Sequence, residues 1–258
     1  MALITISDLE PEIGLITLND PDNLNAMGEE MAKECRELVT VLKGKKPGYR
    51  ALILTGAGRA FSAGGNLEML KEKSNLSGEE NRLRMLKFYD SFLSLLSLDI
   101  PIIAAINGHA IGAGLCVASA CDIRIAAEGS KLGFTFAKLG LHPGMGATFF
   151  LPRVVGVARA NELLLTGRVV MAEEALAMGL VSKVCKASDI VDQAKIIAHE
   201  ILGCGPECIR QLLQSLRKNS TTLAAALERE ALCQSINYAS SEFKEGVQSV
   251  IEKRAAKF

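Results

Sequence analysis

The chain has no tryptophan, only three tyrosines and three histidines, and no excess charge of either sign. The histidines His109, His142 and His199 lie far apart, and none of the cysteines forms a C-x-x-C pair, so a zinc centre has no support in the spacing. Twenty-nine basic residues balance twenty-nine acidic ones. That balance argues against a role driven by a basic field, whether on nucleic acid or on an anionic membrane surface. It also leaves little net repulsion to oppose self-association. No stretch of eighteen apolar residues is free of charge, which excludes a transmembrane helix. The opening residues, Met1 to Asp8, have neither a basic segment nor a long apolar one, so no secretory signal is expected. The seven cysteines are odd in number, and Cys116, Cys121 and Cys185 sit in apolar or Ala-rich surroundings. Reduced thiols in a cytoplasmic compartment are the simplest reading.

What is present is apolar material and glycine. Apolar residues make up 49% of 258 positions, enough for one large domain or a domain with an appendage. Strands are expected at Ile13–Leu18, Arg50–Thr55, Ile102–Ile106, Asp122–Ala126, Lys131–Phe136 and near Val181–Val184. Helices are expected at Met27–Leu42, Met85–Leu98 and Leu115–Ala120, with the first broken by Lys43–Gly48. Lys71 to Arg84 reads as a polar, mobile surface segment. Strand and helix alternate, which implies parallel pairing through crossover helices. The chain then turns helical, with long helices at Ile190–Leu202 and Pro206–Lys218 and more helix after Thr221. The division read from this is a core over 1–189 and a helical region over 190–258.

Two glycine-rich loops follow buried strands. Gly56–Gly65 is one; Asn107–Gly114, which opens a helix, is the other. Glycine lets backbone N–H groups approach a ligand, and a helix N-terminus adds unpaired donors and the positive end of a dipole. Two such N–H groups aimed at one carbonyl oxygen make an oxyanion hole. Plain tight turns explain glycine loops equally well on composition alone. A dinucleotide fingerprint does not fit, because Val117 stands where the third glycine belongs.

At these residues the chain resembles the crotonase (enoyl-CoA hydratase/isomerase) superfamily. The resemblance is carried by Leu18–Met27, Ala60–Asn66, Ile106–Gly114 with Cys121-Asp122, and Leu139–Ala147, then by Leu165–Arg168, Ala175–Val181 and the tail Glu252–Phe258. It implies an α/β fold of stacked ββα units with a C-terminal helical trimerisation region, and a homotrimer or dimer of trimers. It implies a coenzyme A thioester as substrate, with no other cofactor and no metal. Carried over by position, the oxyanion donors are the N–H groups of Gly65 and Ala113, and the substrate lies against Asn25, Ala26, Ala63, Gly64, Gly112 and Phe136. Asn66, where many members have Asp, still suits a helix cap.

The resemblance also exposes what is missing. The two glutamates that hydratases of the family share for water activation and α-protonation fall at Cys116 and Phe136. The single carboxylate of many isomerases falls near Gly144. Among the ionisable groups left, His142 is a candidate general base, or else a cap on the turn before Pro143 lying outside the pocket. Cys116 would need to be a thiolate to act and fits better as core filler; His109 and Lys138 read as surface groups. Lys253, Arg254 and Lys257 either meet CoA phosphates or form a solvated helix end. Three functions remain open on these residues: an enolate-stabilising enzyme such as an acyl-CoA or acyl-carrier decarboxylase, a hydratase or isomerase with relocated acid/base groups, and a non-catalytic acyl-CoA binding homologue.

Overall fold

The structure, a computed structural model, describes residues 2–44, 48–218 and 222–258. The first half runs β1 (Ile4–Glu10), β2 (Ile13–Leu18), α1 (Glu29–Gly44), β3 (Ala51–Gly56), β4 (Ala60–Ser62), α2 (Leu67–Lys73) and α3 (Gly78–Leu93). Next come β5 (Ile102–Ile106), β6 (His109–Ile111), α4 (Ala113–Ala120), β7 (Ile123–Ala127) and β8 (Lys131–Gly133). They are followed by α5 (Ala147–Val155), α6 (Val157–Thr166), β9 (Val169–Met171), α7 (Ala172–Ala177) and β10 (Lys183–Cys185). Four helices close the chain: α8 (Ile190–Leu202), α9 (Pro206–Lys218), α10 (Leu223–Tyr238) and α11 (Ser241–Glu252). Residues 45–47, where the sequence reading ended the first helix, and Thr221 lie outside the described residues.

Two sheets carry the core. Six strands pair in the order β1-β2-β3-β5-β7-β10, and four in the order β4-β6-β8-β9. Strand β1 is antiparallel to β2, and from β2 to β10 the large sheet is parallel. The apolar runs of β3 and β5 are buried at every residue because helices cover both faces. Alternation then sorts their side chains. Leu52, Leu54, Ile102, Ala104 and Ile106 face the cluster that holds α1, α3 and α4. Ile53, Ile103 and Ala105 face a second cluster closed by Ile190, Ala194 and Ala198 of α8. The helical region from 190 onward therefore begins with a helix that seals the sheet. Ile197 and Ile201 pack into that cluster, while Ile196 stays exposed.

Several expectations need correcting. Lys71 to Arg84 is not a loose segment: it holds the end of α2 and the start of α3. Ser77 accepts from the Glu80 N–H while the Glu80 carboxylate accepts from the Ser77 N–H, a reciprocal cap that starts α3. The strand read over Lys131–Phe136 stops at Gly133, and Thr135–Leu139 forms a 3-10 turn that carries Phe136. A Cβ at Gly133 would lie 2.8 Å from Val169 Cγ2, so the close approach of β9 needs glycine there. The first strand and helices α5 and α6 went unread. Among the described residues no helix is long and apolar enough to cross a membrane.

Candidate active site

Strands β4 and β6 are parallel neighbours, with Ala60 beside His109 and Ser62 beside Ala110. The two glycine loops consequently leave the same end of the small sheet side by side. Gly64 has φ +97°, and a Cβ there would stand 2.7 Å from the Ile111 carbonyl oxygen and 3.6 Å from the Ala113 nitrogen. Gly112, at φ +52°, donates its N–H to the Gly133 carbonyl at 2.8 Å and turns the chain into α4. The Gly64 carbonyl accepts from Met27 N at 2.6 Å, and Asn66 N donates to the Met27 carbonyl at 3.0 Å. These bonds clamp the peptides on both sides of Gly65. Among the described residues the N–H groups of Gly65 and Ala113 have no acceptor in the chain. Asn66 caps α2 by accepting from Met69 N at 3.0 Å.

Both N–H groups open on a cavity of about 450 Å³ lined by residues of the two loops, α2, α3 and the 135–145 segment. Ala63, Gly64, Gly65, Gly112, Ala113, Phe136 and His142 all line it. The Phe136 ring lies beside the loops: a Cβ at Gly112 would be 3.9 Å from Phe136 Cζ. His142 is exposed at the rim, its Nδ1 2.8 Å from the Pro143 carbonyl oxygen. A carbonyl only accepts, so Nδ1 is the donor of this bond and Nε2 is left free of it.

Other candidate residues lie elsewhere. Asn25 does not line the cavity; it is fully buried and ties the supporting turns together. Its Oδ1 accepts from Asp20 N at 2.8 Å, and its Nδ2 donates to the carbonyls of Ala57 and Ala60 at 2.9 and 2.8 Å. Its own carbonyl accepts from Ser62 Oγ at 2.8 Å, and Ser62 Oγ in turn accepts from Gly64 N at 3.2 Å. Asn25 thus shapes the Gly64-Gly65 loop from behind. Ala26 sits in the same turn and also stays out of the cavity. Lys257 is remote from its own chain's cavity, on an exposed tail whose N–H donates to Glu245 at 2.8 Å. Arg254 is held by the Glu245 and Glu252 carboxylates at 2.5 and 2.6 Å. Cys116 is fully buried outside the cavity lining, and burial pushes its thiol far above the ordinary range. It packs as a small hydrophobe. His109 accepts the Lys131 N–H at its Nδ1, bridging β6 and β8.

The sequence reading missed the polar groups that α2 and α3 bring to the cavity. Lys73 lines it with its side chain 12% exposed and its Nζ 3.6 Å from Glu29. Asn81 donates Nδ2 to the Lys73 carbonyl at 2.8 Å, and its buried Oδ1 has no partner among the described residues. Tyr89 is half-buried; burial first, and the nearby Cys116 thiol second, push its phenol above the usual range. The cap signature from Ser77 to Glu80 could have placed the start of α3, but no local signal places Tyr89 at the cavity. Among the described residues no aspartate or glutamate lines the cavity.

The family model described as enoyl-CoA hydratase/isomerase matches residues 8–258. The short-chain-enoyl-CoA hydratase of Clostridium acetobutylicum is 33% identical over 253 residues, 96% of this chain and 95% of that one. The crotonyl-CoA hydratase of Syntrophomonas wolfei is 34% identical over 255 residues, covering 98% and 96%. The crystal structure of an enoyl-CoA hydratase from Bacillus anthracis superposes with a TM-score of 0.91 at 34% identity, covering 99% of this chain and 98% of that one. With the paired glycine loops, the parallel sheets and the helical C-terminal region, these likenesses establish that the chain belongs to the enoyl-CoA hydratase/isomerase family of the crotonase superfamily.

Proposed function

We propose that this protein is an acyl-CoA enzyme that stabilises a thioester enolate with the N–H groups of Gly65 and Ala113. The observation that carries the reading is the pair of unpartnered N–H groups facing one cavity, fixed by Gly64 and Gly112. A thioester carbonyl seated between them gains most when its oxygen becomes anionic, and each such donor is typically worth about 2.7–4 kcal/mol in the transition state.

How the enolate arises follows from the rest of the cavity. Hydration needs a base to activate water and an acid for the α-carbon, work that needs well-placed acid/base groups. Among the described residues the wall carries no carboxylate, with Phe136 and Gly144 on the lining and Cys116 fully buried away from it. Loss of CO2 from a 2-carboxyacyl thioester generates the same enolate without a base. Lys73 lines the wall but is already paired with Glu29 at 3.6 Å, so the carboxylate of such an acyl group would meet a mostly apolar wall, which favours its loss. Decarboxylation is therefore the reaction class the site suits best. The relatives named as hydratases make hydration the second reading, with His142 as the relocated base.

The test is a turnover screen over crotonyl-CoA, malonyl-CoA and methylmalonyl-CoA with products identified by mass. CO2 release with no hydration supports the reading. Rapid hydration of crotonyl-CoA would place the acid/base groups elsewhere. Binding of acetoacetyl-CoA without any turnover would make the chain a binding homologue.

A further inference from the structure

We infer that the Tyr89 hydroxyl is the group that delivers a proton to the substrate α-carbon. The inference rests on the enolate reading above. Tyr89 projects from α3 into the cavity that the Gly65 and Ala113 N–H groups open on. The hydroxyl end of its ring lies against Gly144: a Cβ on that glycine would fall 2.3 Å from the phenol oxygen, 2.8 Å from Cζ and 3.1 Å from Cε1. Phenol and any side chain at 144 therefore exclude each other. The phenol fills the volume that a carboxylate at 144 would need. One side chain from α3 thus occupies one of the places where an acidic group is missing.

Elimination among the cavity's polar groups leads to the same residue. Asn81 Nδ2 is committed to the Lys73 carbonyl, and Ser74 Oγ donates to the Lys71 carbonyl at 2.7 Å. Lys73 pairs with Glu29, and His142 is exposed at the rim. The Thr135 hydroxyl is far too weak an acid to give up a proton. Among the described residues the Tyr89 hydroxyl makes no hydrogen bond within the chain. It is protonated at neutral pH, so it can donate.

In the step this assigns, the bond from the α-carbon to the carboxylate breaks and its electron pair enters the enolate. CO2 departs, the O–H bond of Tyr89 breaks, and its proton forms the new C–H bond. The phenolate then recovers a proton from water.

Tyr89→Phe removes the hydroxyl and keeps the ring on Gly144, so the fold is retained; thermal melting verifies this. Methylmalonyl-CoA turned over in D2O should give wild-type propionyl-CoA with one configuration at the deuterated carbon. The variant should give scrambled configuration. Separately, exchange of the butyryl-CoA α-hydrogens with D2O, which runs the same proton transfer backwards through the small phenolate fraction, should fall on the order of 100-fold in the variant. CO2 release by both proteins with the same single configuration overturns the role of Tyr89 and leaves decarboxylation standing. CO2 release by neither, with exchange lost in the variant, sinks decarboxylation and keeps Tyr89. Absence of both signals in the wild type overturns both.

Discussion

Gly64 faces the carbonyl of Ile111 where the two glycine loops meet, and a Cβ there would lie 2.7 Å from that oxygen. The clashing atom is backbone and φ is +97°, so neither side can yield. Gly64→Ala is expected to lose about 1–3 kcal/mol of stability from the forced conformation. It should also part the Gly65 and Ala113 donors. Chemical denaturation checks the first effect; calorimetry with acetoacetyl-CoA checks the second, with at least a tenfold loss of affinity expected.

Crotonyl-CoA hydration should be weak. Each general acid or base typically contributes about 10²–10⁴-fold, and neither carboxylate position is acidic here. Enoyl absorbance followed at high enzyme concentration gives the rate, and a rate near that of a two-glutamate hydratase would contradict the assignment. Phe136→Glu, on the cavity wall, should be tolerated. Cys116→Glu should destabilise the fold strongly, because it places a carboxyl without a partner where exposure is 0%.

Arg217 ties the C-terminal helices to the core. Its guanidinium bonds Asp122 at 2.7 Å and 3.0 Å and reaches the carbonyls of Leu96, Leu98 and Ile100. Asp122 in turn accepts from Ile102 N at 2.8 Å, at the start of β5. Arg217→Ala leaves a mostly buried carboxylate unpaired, and a loss of about 3 kcal/mol is expected in a urea titration. Because Asp122 sits in the turn between α4 and β7, the loss should be global rather than confined to α9.

The tail responds to acid. Arg254 foremost, then the Lys257 N–H, hold the Glu245 carboxyl down at about 2. A depressed carboxylate contributes above its unfolded pKa of about 4.3 and loses that contribution as pH falls toward the folded value. Between pH 4.5 and about 2, hydrogen exchange of residues 253–258 should therefore rise before the core opens. Glu245→Gln should remove that acid limb.

Self-association is expected from the apolar helices beyond α8, and the family resemblance supplies the number, a homotrimer or a pair of trimers. Leu216, Leu223, Leu227, Leu232 and Val250 are more than half exposed, and the groove between α10, α11 and the tail is lined by Tyr238, Phe243 and Phe258. Light scattering coupled to size exclusion measures the mass. In such an assembly Lys257 reaches CoA only on a neighbour, so Lys257→Ala should weaken binding without altering an isolated subunit's fold.

The long apolar runs were decisive in the sequence. Ala51–Gly56 and Ile102–Ile106 admit little besides buried parallel strands, and helices α8 and α9 match the expected bounds residue for residue. Gly65, Ala113 and Phe136 could be named only because the resemblance to the family carries its motif positions over onto them. Tertiary structure alone decided what faces what. Asn25 carries a motif-like signature yet turns its amide away from the cavity into three backbone bonds, a choice set by loops 32 and 35 residues away. Tyr89 lies in no motif, and it reaches the cavity because the Ser77 cap orients α3 and Gly144, 55 positions later, leaves room for its ring. Local chemistry writes strands, caps and tight turns into neighbouring residues. The composition of a cavity wall depends on packing between distant segments, where a missing Cβ on one fixes the place of a hydroxyl on another.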